Sequence, residues 1–363
     1  MSILQKTLFL SFILLLGYFL AWPVPIEPVA WQAPTDNLYT DIFKENNKLA
    51  NFTAINIDGL HGPEAVVANI NGEIFTTTHE GWILRFAEGE TQAKRWVNVG
   101  GRPLGIAFDN QQNLWVANAY LGLQKVDITG KVTLALTSAD GVAIRYADDL
   151  AILDNGKIYF SDASTKFPAD QAGTLAASLL EIIEHAGTGR IIEFDPTNGE
   201  SKVIMKGLNF ANGIAAAVDD SFILVAETGS YRVWKYWLKG DKTGQSEVIV
   251  DNLPGFPDNI HRGLDGRFWV GLTSPRSAII DKFSDQPFLR KIIQRMPSFL
   301  RPQVVPYGHI VAINAQGKVL TSLQDPKGSY PATTGAWETK KHLYVSSLTA
   351  DKLVRYNKRE LGL

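Results

Sequence analysis

Short runs of apolar and aromatic residues, each opened by a turn signal and closed by a small polar turn, return six times along the chain. The first three runs begin at Asn71, Asn113 and Asn155, so successive starts lie 42 residues apart. The six runs span residues 71–75, 113–117, 155–160, 220–225, 265–270 and 341–345. A strand-built repeat of roughly 40–50 residues is typical of a β-propeller blade. The pattern therefore predicts an all-β fold, a six-bladed β-propeller, whose blades bring distant polar residues to one end of a central channel.

Two stretches interrupt the repeat with apolar residues at helical spacing, and each predicts an inserted helix. The first, residues 169–186, contains no proline, whereas the second, residues 279–300, is bounded or kinked at Pro287 and Pro297. Insertions in repeat folds lie on loops, commonly at the binding face. The two helices are therefore either solvated packing elements or a lid or membrane-facing rim over the channel.

The N-terminus predicts a signal anchor. Residues 8–22 are an uninterrupted run of apolar or small residues, which apolar neighbours can extend toward the roughly 17–25 residues that a spanning helix needs. Lys6 precedes the run and no Lys or Arg follows before Lys44, so the positive-inside rule places the propeller on the periplasmic, lumenal or extracellular side. A cleaved secretory signal and a plain buried segment are the competing interpretations. The predicted organisation is an anchor over 1–24, a linker and propeller entry over 25–48, and the propeller over 49–363.

Composition excludes several classes of function. The net charge is −2, so the chain has no basic field and nucleic acid is not an expected partner. The sequence contains no cysteine, which rules out disulfides, a thiolate nucleophile and cysteine metal sites. No G-x-S-x-G elbow, H-E-x-x-H motif or phosphate-binding loop is present. Any catalytic site must therefore be built from other groups.

Acidic and amide side chains recur at equivalent places, about six to nine residues before four of the repeated runs. They are Glu64, Asp148, Asn212, and the pair Asp258 and Asn259. Oxygen ligands of mixed carboxylate and amide type suit Ca²⁺, or another hard cation such as Mg²⁺ or Mn²⁺. Asp and Asn before strands are also common turn formers, which is the alternative interpretation of each position taken singly.

Longer motifs occupy residues 101–106, 120–123, 159–167, 226–228, 254–260, 322–328 and 343–348. Together they resemble the strictosidine synthase-like family, in the branch of the adipocyte plasma membrane-associated proteins. The resemblance runs from about Pro25 to Tyr356, nearly the whole chain. It implies a six-bladed propeller in the wider group that includes gluconolactonases and paraoxonases.

The resemblance also implies a catalytic divalent cation at the channel axis. In the wider hydrolase group it is held by a Glu, by Asn residues and by an Asp, which Glu64, Asn212 and Asp258 match. Asn259 follows as a neighbouring amide, and Asp148 stands where that group has Asn, which makes the site more anionic. In strictosidine synthases a Glu of the last blade deprotonates the amine substrate. The matching position here is Thr334, whose hydroxyl cannot serve as that base, so amine–aldehyde condensation is not expected.

The sequence leads to an ester or lactone hydrolase, of arylesterase or lactonase type, acting on a small molecule at the channel. Asp258 is expected to be both a ligand and the group that transfers a proton or attacks. His309 is a second catalytic candidate, because imidazole titrates near neutrality, although a lone His is more often structural. The alternative function is a propeller that binds a ligand or a protein partner and catalyses nothing.

Overall fold

The computed structural model, which describes residues 2–363, is a ring of six four-stranded antiparallel sheets. Each of the six repeated runs supplies the second strand of one sheet, so the predicted fold class is confirmed. Five sheets are built from four consecutive strands, and the sixth takes its outermost strand from the start of the chain.

The blades are numbered in chain order, and each is given from its innermost strand outward. Blade 1 comprises β2 (Val66–Ala68), β3 (Glu73–Thr77), β4 (Trp82–Ala87) and β5 (Lys94–Asn98). Blade 2 comprises β6 (Pro103–Phe108), β7 (Leu114–Asn118), β8 (Gly122–Val126) and β9 (Val132–Leu136). Blade 3 comprises β12 (Ala147–Ile152), β13 (Ile158–Asp162), β14 (Gly189–Asp195) and β15 (Glu200–Leu208). Blade 4 comprises β16 (Ala211–Ala216), β17 (Phe222–Glu227), β18 (Arg232–Trp237) and β19 (Ser246–Val250). Blade 5 comprises β20 (Gly255–Arg262), β21 (Arg267–Pro275), β22 (Gly308–Asn314) and β23 (Val319–Asp325). Blade 6 comprises β24 (Thr333–Glu338), β25 (His342–Ser347) and β26 (Lys352–Asn357), with β1 (Thr53–Asn56) as its outermost strand. A two-stranded hairpin, β10 (Ser138–Ala139) and β11 (Val142–Ala143), lies between blades 2 and 3.

Strand β1 closes the ring. It pairs antiparallel with β26, with Thr53 opposite Arg355 and Asn56 opposite Lys352. Ile55 is fully buried in the apolar cluster between the last and first blades. The hydrogen bonds of this short strand join the segment that precedes blade 1 to blade 6, and so they hold the first and last blades of the ring together.

The innermost strands of blades 2 to 6 carry the same irregularity. In each, three residues along the inner strand face two along its neighbour, which is a one-residue β-bulge. The breaks fall at Pro103/Ile106, Ala147/Leu150, Ala211/Ile214, Pro257/Ile260 and Thr333/Ala336. A bulge re-aims the side chains inside it, and the predicted site residues of blades 3, 4 and 5 lie inside these bulges.

Both predicted insertions are helical, and both join the second and third strands of a blade. In blade 3 they are α2 (Ala169–Ala172) and α3 (Thr174–Glu184), separated at Gly173, whose φ of 82° interrupts the helix. In blade 5 they are α4 (Ala278–Lys282), α5 (Pro287–Arg295) and a 3₁₀ turn (Ser298–Leu300). Pro287 opens α5 at the position where a helix tolerates proline. A last short helix, α6 (Lys358–Leu361), ends the chain.

The N-terminal apolar run is one helix, α1 (Ile3–Ala21), capped by the Ser2 side chain. It is 19 residues long with a mean hydropathy of 1.9, and none of its residues is buried. Within residues 2–363 it is the one helix long and apolar enough to cross a membrane, and a signal sequence has the same properties.

We expect Ile55→Ala to lower the free energy of unfolding by roughly 2–5 kcal/mol, because it removes a fully buried side chain from the strand that closes the ring. Chemical denaturation followed by tryptophan fluorescence measures the change. Thr53→Ala, at an exposed position of the same strand, should change it by no more than about 0.5 kcal/mol. Equal effects of the two variants would contradict this role for β1.

Candidate functional site

Four of the five predicted oxygen ligands line one cavity at the end of the channel. Glu64, Asp148, Asn212 and Asp258 come from blades 1, 3, 4 and 5 and surround a cavity of about 30 Å³ together with apolar side chains. Asn259 lies behind them, where its Nδ2 donates to the Glu64 carbonyl oxygen at 3.1 Å and to Oε1 at 2.9 Å. All five side chains are buried. The propeller thus brings together residues separated by as many as 195 positions in the chain.

The bulges explain how these side chains reach the axis. Each bulge contains two residues, and in blades 3, 4 and 5 the first of them lines the cavity. In blade 3 the second residue, Asp149, instead contacts blade 4, because the Ile214 amide donates to Asp149 Oδ2 at 2.9 Å. In blade 3, Asp148 therefore faces the cavity, whereas Asp149 joins the blade to its neighbour.

Glycine occupies the second bulge position in blades 2, 4 and 6, alternating with larger residues. A Cβ added at Gly105 would lie 2.6 Å from the Asp149 Cα, and one added at Gly213 would lie 2.6 Å from the Asn259 carbonyl carbon. Real Cβ atoms do not approach that closely. The small residues therefore create the room in which Asp149 and Asn259 fit beneath the cavity.

Burial dominates the electrostatics of the site. It raises the pKa of Glu64 to about 7 against the opposing charge of Arg102, and it raises the pKa of Asp149 to about 8. Burial, followed by repulsion from Glu64, raises the pKa values of Asp148 and Asp258 well above the ordinary range. Four buried carboxyl groups therefore strongly favour either protons or an added positive charge.

Arg102 is the buried cation beside these carboxyl groups, and the sequence reasoning did not assign it a role. Its Nη1 donates to the Gly62 carbonyl at 3.1 Å and its Nη2 lies 3.5 Å from the Leu348 carbonyl. Burial lowers its pKa, while the attraction of Glu64 opposes that shift. Arg102 compensates part of the charge of the site and ties the segment before blade 1 to the loop between β25 and β26 of blade 6.

The donor set fits a hard cation. Glu64 Oε2, Asn212 Oδ1 and Asn259 Oδ1 are buried and make no hydrogen bond, and all three are acceptors. Buried acceptors are usually satisfied, and oxygen atoms without donors are what Ca²⁺ or Mg²⁺ binds. Among residues 2–363, no three His, Asp or Glu side chains lie close enough together to hold an ion by themselves. The amide oxygens would therefore have to complete any coordination shell.

A larger apolar pocket opens onto this acidic cavity. Its cavity volume is about 70 Å³, beneath α3, α4 and the loop at residues 302–304, and Asp258, Phe210 and Leu348 line both spaces. The helices and this loop form a lid, defined here as α3, α4, α5 and residues 296–305. A molecule with an apolar body and a polar group would fit with the polar group against Asp258.

His309 is not brought to either pocket. It lies on β22, the third strand of blade 5, where its ring is close to Tyr39, Phe43 and Tyr307 and its Nε2 is 2.9 Å from the Ser322 hydroxyl. Third strands stand away from the axis, so a period in the sequence cannot place such a residue at the channel. His309 therefore lines neither the acidic cavity nor the apolar pocket.

Thr334 occupies the first bulge position of blade 6. Its hydroxyl lies 2.7 Å from the Glu64 carbonyl oxygen and 2.8 Å from the Ser346 hydroxyl, and the side chain is fully buried. It packs against the ligand-bearing segment of blade 1 and presents no base to a substrate.

Sequence reasoning also gave no role to Asp149 and Tyr146. Asp149 is the second residue of the Asp148–Asp149 pair, and only the bulge shows that it faces the neighbouring blade. Tyr146 lines the acidic cavity and donates from its hydroxyl to the Thr174 carbonyl at 3.0 Å, which joins the cavity wall to the lid. The alternation of glycine in the bulges was the available signal for the first of these.

The fold and this axial centre define the class of the protein as a six-bladed propeller with a buried acidic site under a helical lid. Two family profiles match: strictosidine synthase over residues 148–241, and the N-terminal part of the strictosidine synthase-like proteins over residues 41–86. Strictosidine synthase-like protein 3 of Arabidopsis thaliana is 36% identical over 72% of this chain and 67% of its own. The adipocyte plasma membrane-associated protein of Gallus gallus is 31% identical over 94% of this chain and 86% of its own. The chain belongs to the strictosidine synthase-like family.

Solved structures share the fold at low sequence identity. A gluconolactonase from Xanthomonas campestris superposes with a TM-score of 0.61 at 14% identity, over 92% of this chain and 96% of its own. Regucalcin from Agrobacterium tumefaciens, described as a calcium-binding protein, gives a TM-score of 0.57 at 13% identity, over 84% and 93%. These similarities establish the propeller architecture.

The acid sensitivity of the fold should depend on His309. Burial lowers its pKa to about 3, whereas the unfolded chain protonates near 6.5, so the unfolded state binds the extra proton between those values. The contribution of His309 to stability should therefore fall as the pH drops below 6.5, by about 1.4 kcal/mol per pH unit, whereas the buried carboxyl groups with raised pKa values contribute with the opposite sign. His309→Gln, which can still hydrogen-bond Ser322, should reduce that slope in denaturation measured from pH 7.5 to 4. An unchanged slope would contradict a neutral, buried His309.

Proposed function

We propose that this protein is a divalent-cation-dependent hydrolase of esters or lactones that works at the end of its central channel. The observation that carries the proposal is an apolar pocket that ends on buried carboxylates and amides, of which three oxygen atoms have no partner. An uncharged ester or lactone has the matching chemistry, because its body is apolar and its one reactive group is a carbonyl.

Glu64, Asn212, Asn259, Asp148 and Asp258 are the residues that would hold the cation. When bound, such a cation supplies Lewis-acid polarisation of a carbonyl and a lower pKa for water. The hydrogen bonds of Asn259 to Glu64 fix the two side chains relative to each other, so that their unpartnered oxygen atoms stay in place. Positioned in this way, the ligands need little rearrangement during a reaction.

Asp258 is the best-placed group for proton transfer, because it lines both the acidic cavity and the apolar pocket. Burial and repulsion from Glu64 raise the pKa of this carboxyl, which makes the carboxylate a stronger base toward attacking water; the proton that it accepts can then pass to the leaving alkoxide. The apolar walls, including Phe210 and Leu348, orient the substrate and exclude bulk water from this exchange.

Relatives of this fold support the direction of the proposal. One structural neighbour is a gluconolactonase, and lactone hydrolysis is the reaction class proposed here. Another is a calcium-binding protein, and Ca²⁺ is the type of ion proposed here. The lack of a base at Thr334 argues against an amine condensation of the strictosidine synthase type.

A second candidate is a propeller that binds a ligand without catalysis. This function is favoured by the excess of carboxyl groups over basic groups at the site, since Asp148 adds a fourth carboxyl group and Arg102 is the cation that compensates them. A channel of this kind could retain a cation or a cationic ligand tightly. The enzyme proposal requires that the bound cation leave Asp258 free to exchange a proton.

For the N-terminus we propose a retained anchor, with the propeller on the periplasmic, lumenal or extracellular side. The support is the exposed apolar surface of α1, together with the single Lys6 before it. The name of the adipocyte plasma membrane-associated relatives agrees with a membrane association.

Asp258→Ala should abolish both ester hydrolysis and tight cation binding, because it removes a ligand and the proton-transfer group together. Glu64→Gln should mainly weaken the cation, since the amide keeps the shape but loses the charge. Activity on aryl esters and lactones and calorimetric titration with Ca²⁺ measure the two effects. Asp251→Ala, at an exposed carboxylate, is the control and should change neither. Full esterase activity in Asp258→Ala would overturn the mechanism and favour the binding function.

Removing the residues before Pro25 should release a soluble propeller, because β1 and all the blade strands follow that point. Fractionation of cells that express the full and shortened chains, with N-terminal sequencing of the full chain, measures the outcome. A full-length chain that is soluble with its N-terminus intact would contradict the anchor.

A further inference from the structure

The end of α1 is fixed to the lid without an intervening linker. Arg295, the last residue of α5, donates from Nε to the Trp22 carbonyl at 2.6 Å and from Nη1 to the Phe19 carbonyl at 3.0 Å. The Tyr18 hydroxyl donates back to the Arg295 carbonyl at 2.9 Å. Carbonyls at the end of a helix lack helical partners and favour a cation. The apolar helix therefore ends directly on the lid.

The residues that follow α1 continue across the lid. Ile26 is fully buried in the apolar cluster that contains Ile182 and Ile280. The Glu27 amide donates to Glu184 Oε2 at 2.7 Å, and the Arg290 guanidinium donates to the carbonyl of Val29. Five residues lead from Ala21 to Ile26, and an extended chain covers at most about 3.5 Å per residue, so the lid begins within about 18 Å of the helix end.

The lid exposes large apolar side chains, and some of them lie beside the apolar pocket. Phe299 is 76% exposed and Leu300 is 56% exposed, and Pro302 and Val304, which line the pocket, follow them directly. Leu175 of α3 is 40% exposed and also lines the pocket. We call the exposed apolar set the lid face, and its members are Leu175, Ile279, Phe288, Phe299, Leu300 and Val305.

The charge of the lid differs from that of the whole chain. Outside α3, which carries Glu181 and Glu184, residues 278–301 contain five basic and two acidic side chains, a balance of +3 in a chain whose net charge is −2. The basic residues are Lys282, Arg290, Lys291, Arg295 and Arg301, and the acidic ones are Asp281 and Asp285. Arg290 and Arg295 are buried and Lys291 pairs with Glu27, so Lys282 and Arg301 are the basic side chains that can flank the lid face. Apolar side chains beside such cations match a lipid surface, whose apolar interior lies beneath phosphate groups.

We propose that the lid face lies on the lipid bilayer that holds α1, and that the apolar pocket takes an amphiphilic ester directly from that bilayer. The covering surface is a membrane because the one helix suited to span it is hydrogen-bonded to the lid itself. An acyl chain passes from the bilayer along Leu175 into the pocket, and its ester group reaches Asp258. The substrate class rests on the hydrolase function proposed above, whereas the docking of the lid face does not.

The absence of cysteine makes the docking directly measurable. The full-length chain is reconstituted in vesicles of phosphatidylcholine and phosphatidylglycerol, with one fluorescent label on a single introduced cysteine. Labels at Phe299→Cys and Leu300→Cys should be quenched at least about twofold by brominated lipid, as a label at Leu14→Cys in α1 should be. Labels at Ile70→Cys and Val218→Cys are the matched controls. These residues are 80% and 71% exposed but lie on turns between first and second strands, at the opposite end of the blades, and should remain unquenched.

Quenching at Leu14 without quenching at 299 and 300 would overturn the docking, because α1 would then be inserted while the lid face remained in water. Since both positions are exposed, their labels do not depend on a tolerated change in the core. Quenching at Ile70 and Val218 as well would also overturn it, because contact with lipid would not be specific to the lid.

The substrate arm compares a long-chain ester presented in the vesicles with a short, water-soluble aryl ester. Phe299→Ser combined with Leu300→Ser should lower the ratio of the two rates by roughly tenfold, whereas Ile70→Ser combined with Val218→Ser should not change it. An unchanged ratio in the lid variant would overturn uptake from the bilayer. Absence of hydrolysis of both esters by the unaltered protein would instead refute the proposed function, and the quenching result would still decide the docking.

Discussion

The mutual repulsion of buried carboxyl groups at the channel axis is the constraint on which this structure depends. Glu64, Asp148, Asp149 and Asp258 enter a space that water barely reaches, where each charge raises the free energy of the others. The fold tolerates this arrangement because closure through β1, the buried Arg102 and the hydrogen bonds between blades prevent the segments from moving apart. The same repulsion favours either protonation of these groups or an added positive charge between them.

The sequence was sufficient for the fold because a propeller is periodic in one dimension. The apolar run at 113–117 predicts a strand without knowledge of its partners, and the equivalent offset of Glu64 and Asp258 predicts that they face one axis. What the period could not reveal is contact between blades. Asp149 binds the Ile214 amide, and Gly105 makes room for Asp149, through distances that depend on how neighbouring sheets are rotated. His309 shows the same limit, because its distance from the axis depends on which strand of the blade carries it.

The contacts between α1 and the lid could not be predicted from the sequence. Helical spacing indicated both insertions, yet Arg295 and Phe19 are 276 residues apart, and nothing periodic relates them. Their contact follows from the end of α1, where unpaired carbonyls must find donors, and from the lid, where a buried guanidinium must find acceptors. Each element satisfies the polar groups of the other, so the N-terminal segment forms part of the cover over the pocket.

The charge of the buried carboxyl groups and the closure of the lid above them depend on each other. A lid that excludes water strengthens every electrostatic interaction beneath it, including the repulsion among the carboxyl groups. The closed site is therefore unfavourable while its carboxyl groups are ionised and uncompensated, and a cation that binds the folded chain alone would stabilise the whole propeller. Because Tyr146 lines the acidic cavity and donates to the carbonyl of Thr174 at the start of α3, a change in cavity charge can reach the lid through one hydrogen bond. Ligand binding at the axis and order in the lid are thus expected to respond to the same variable, the net charge of the buried centre.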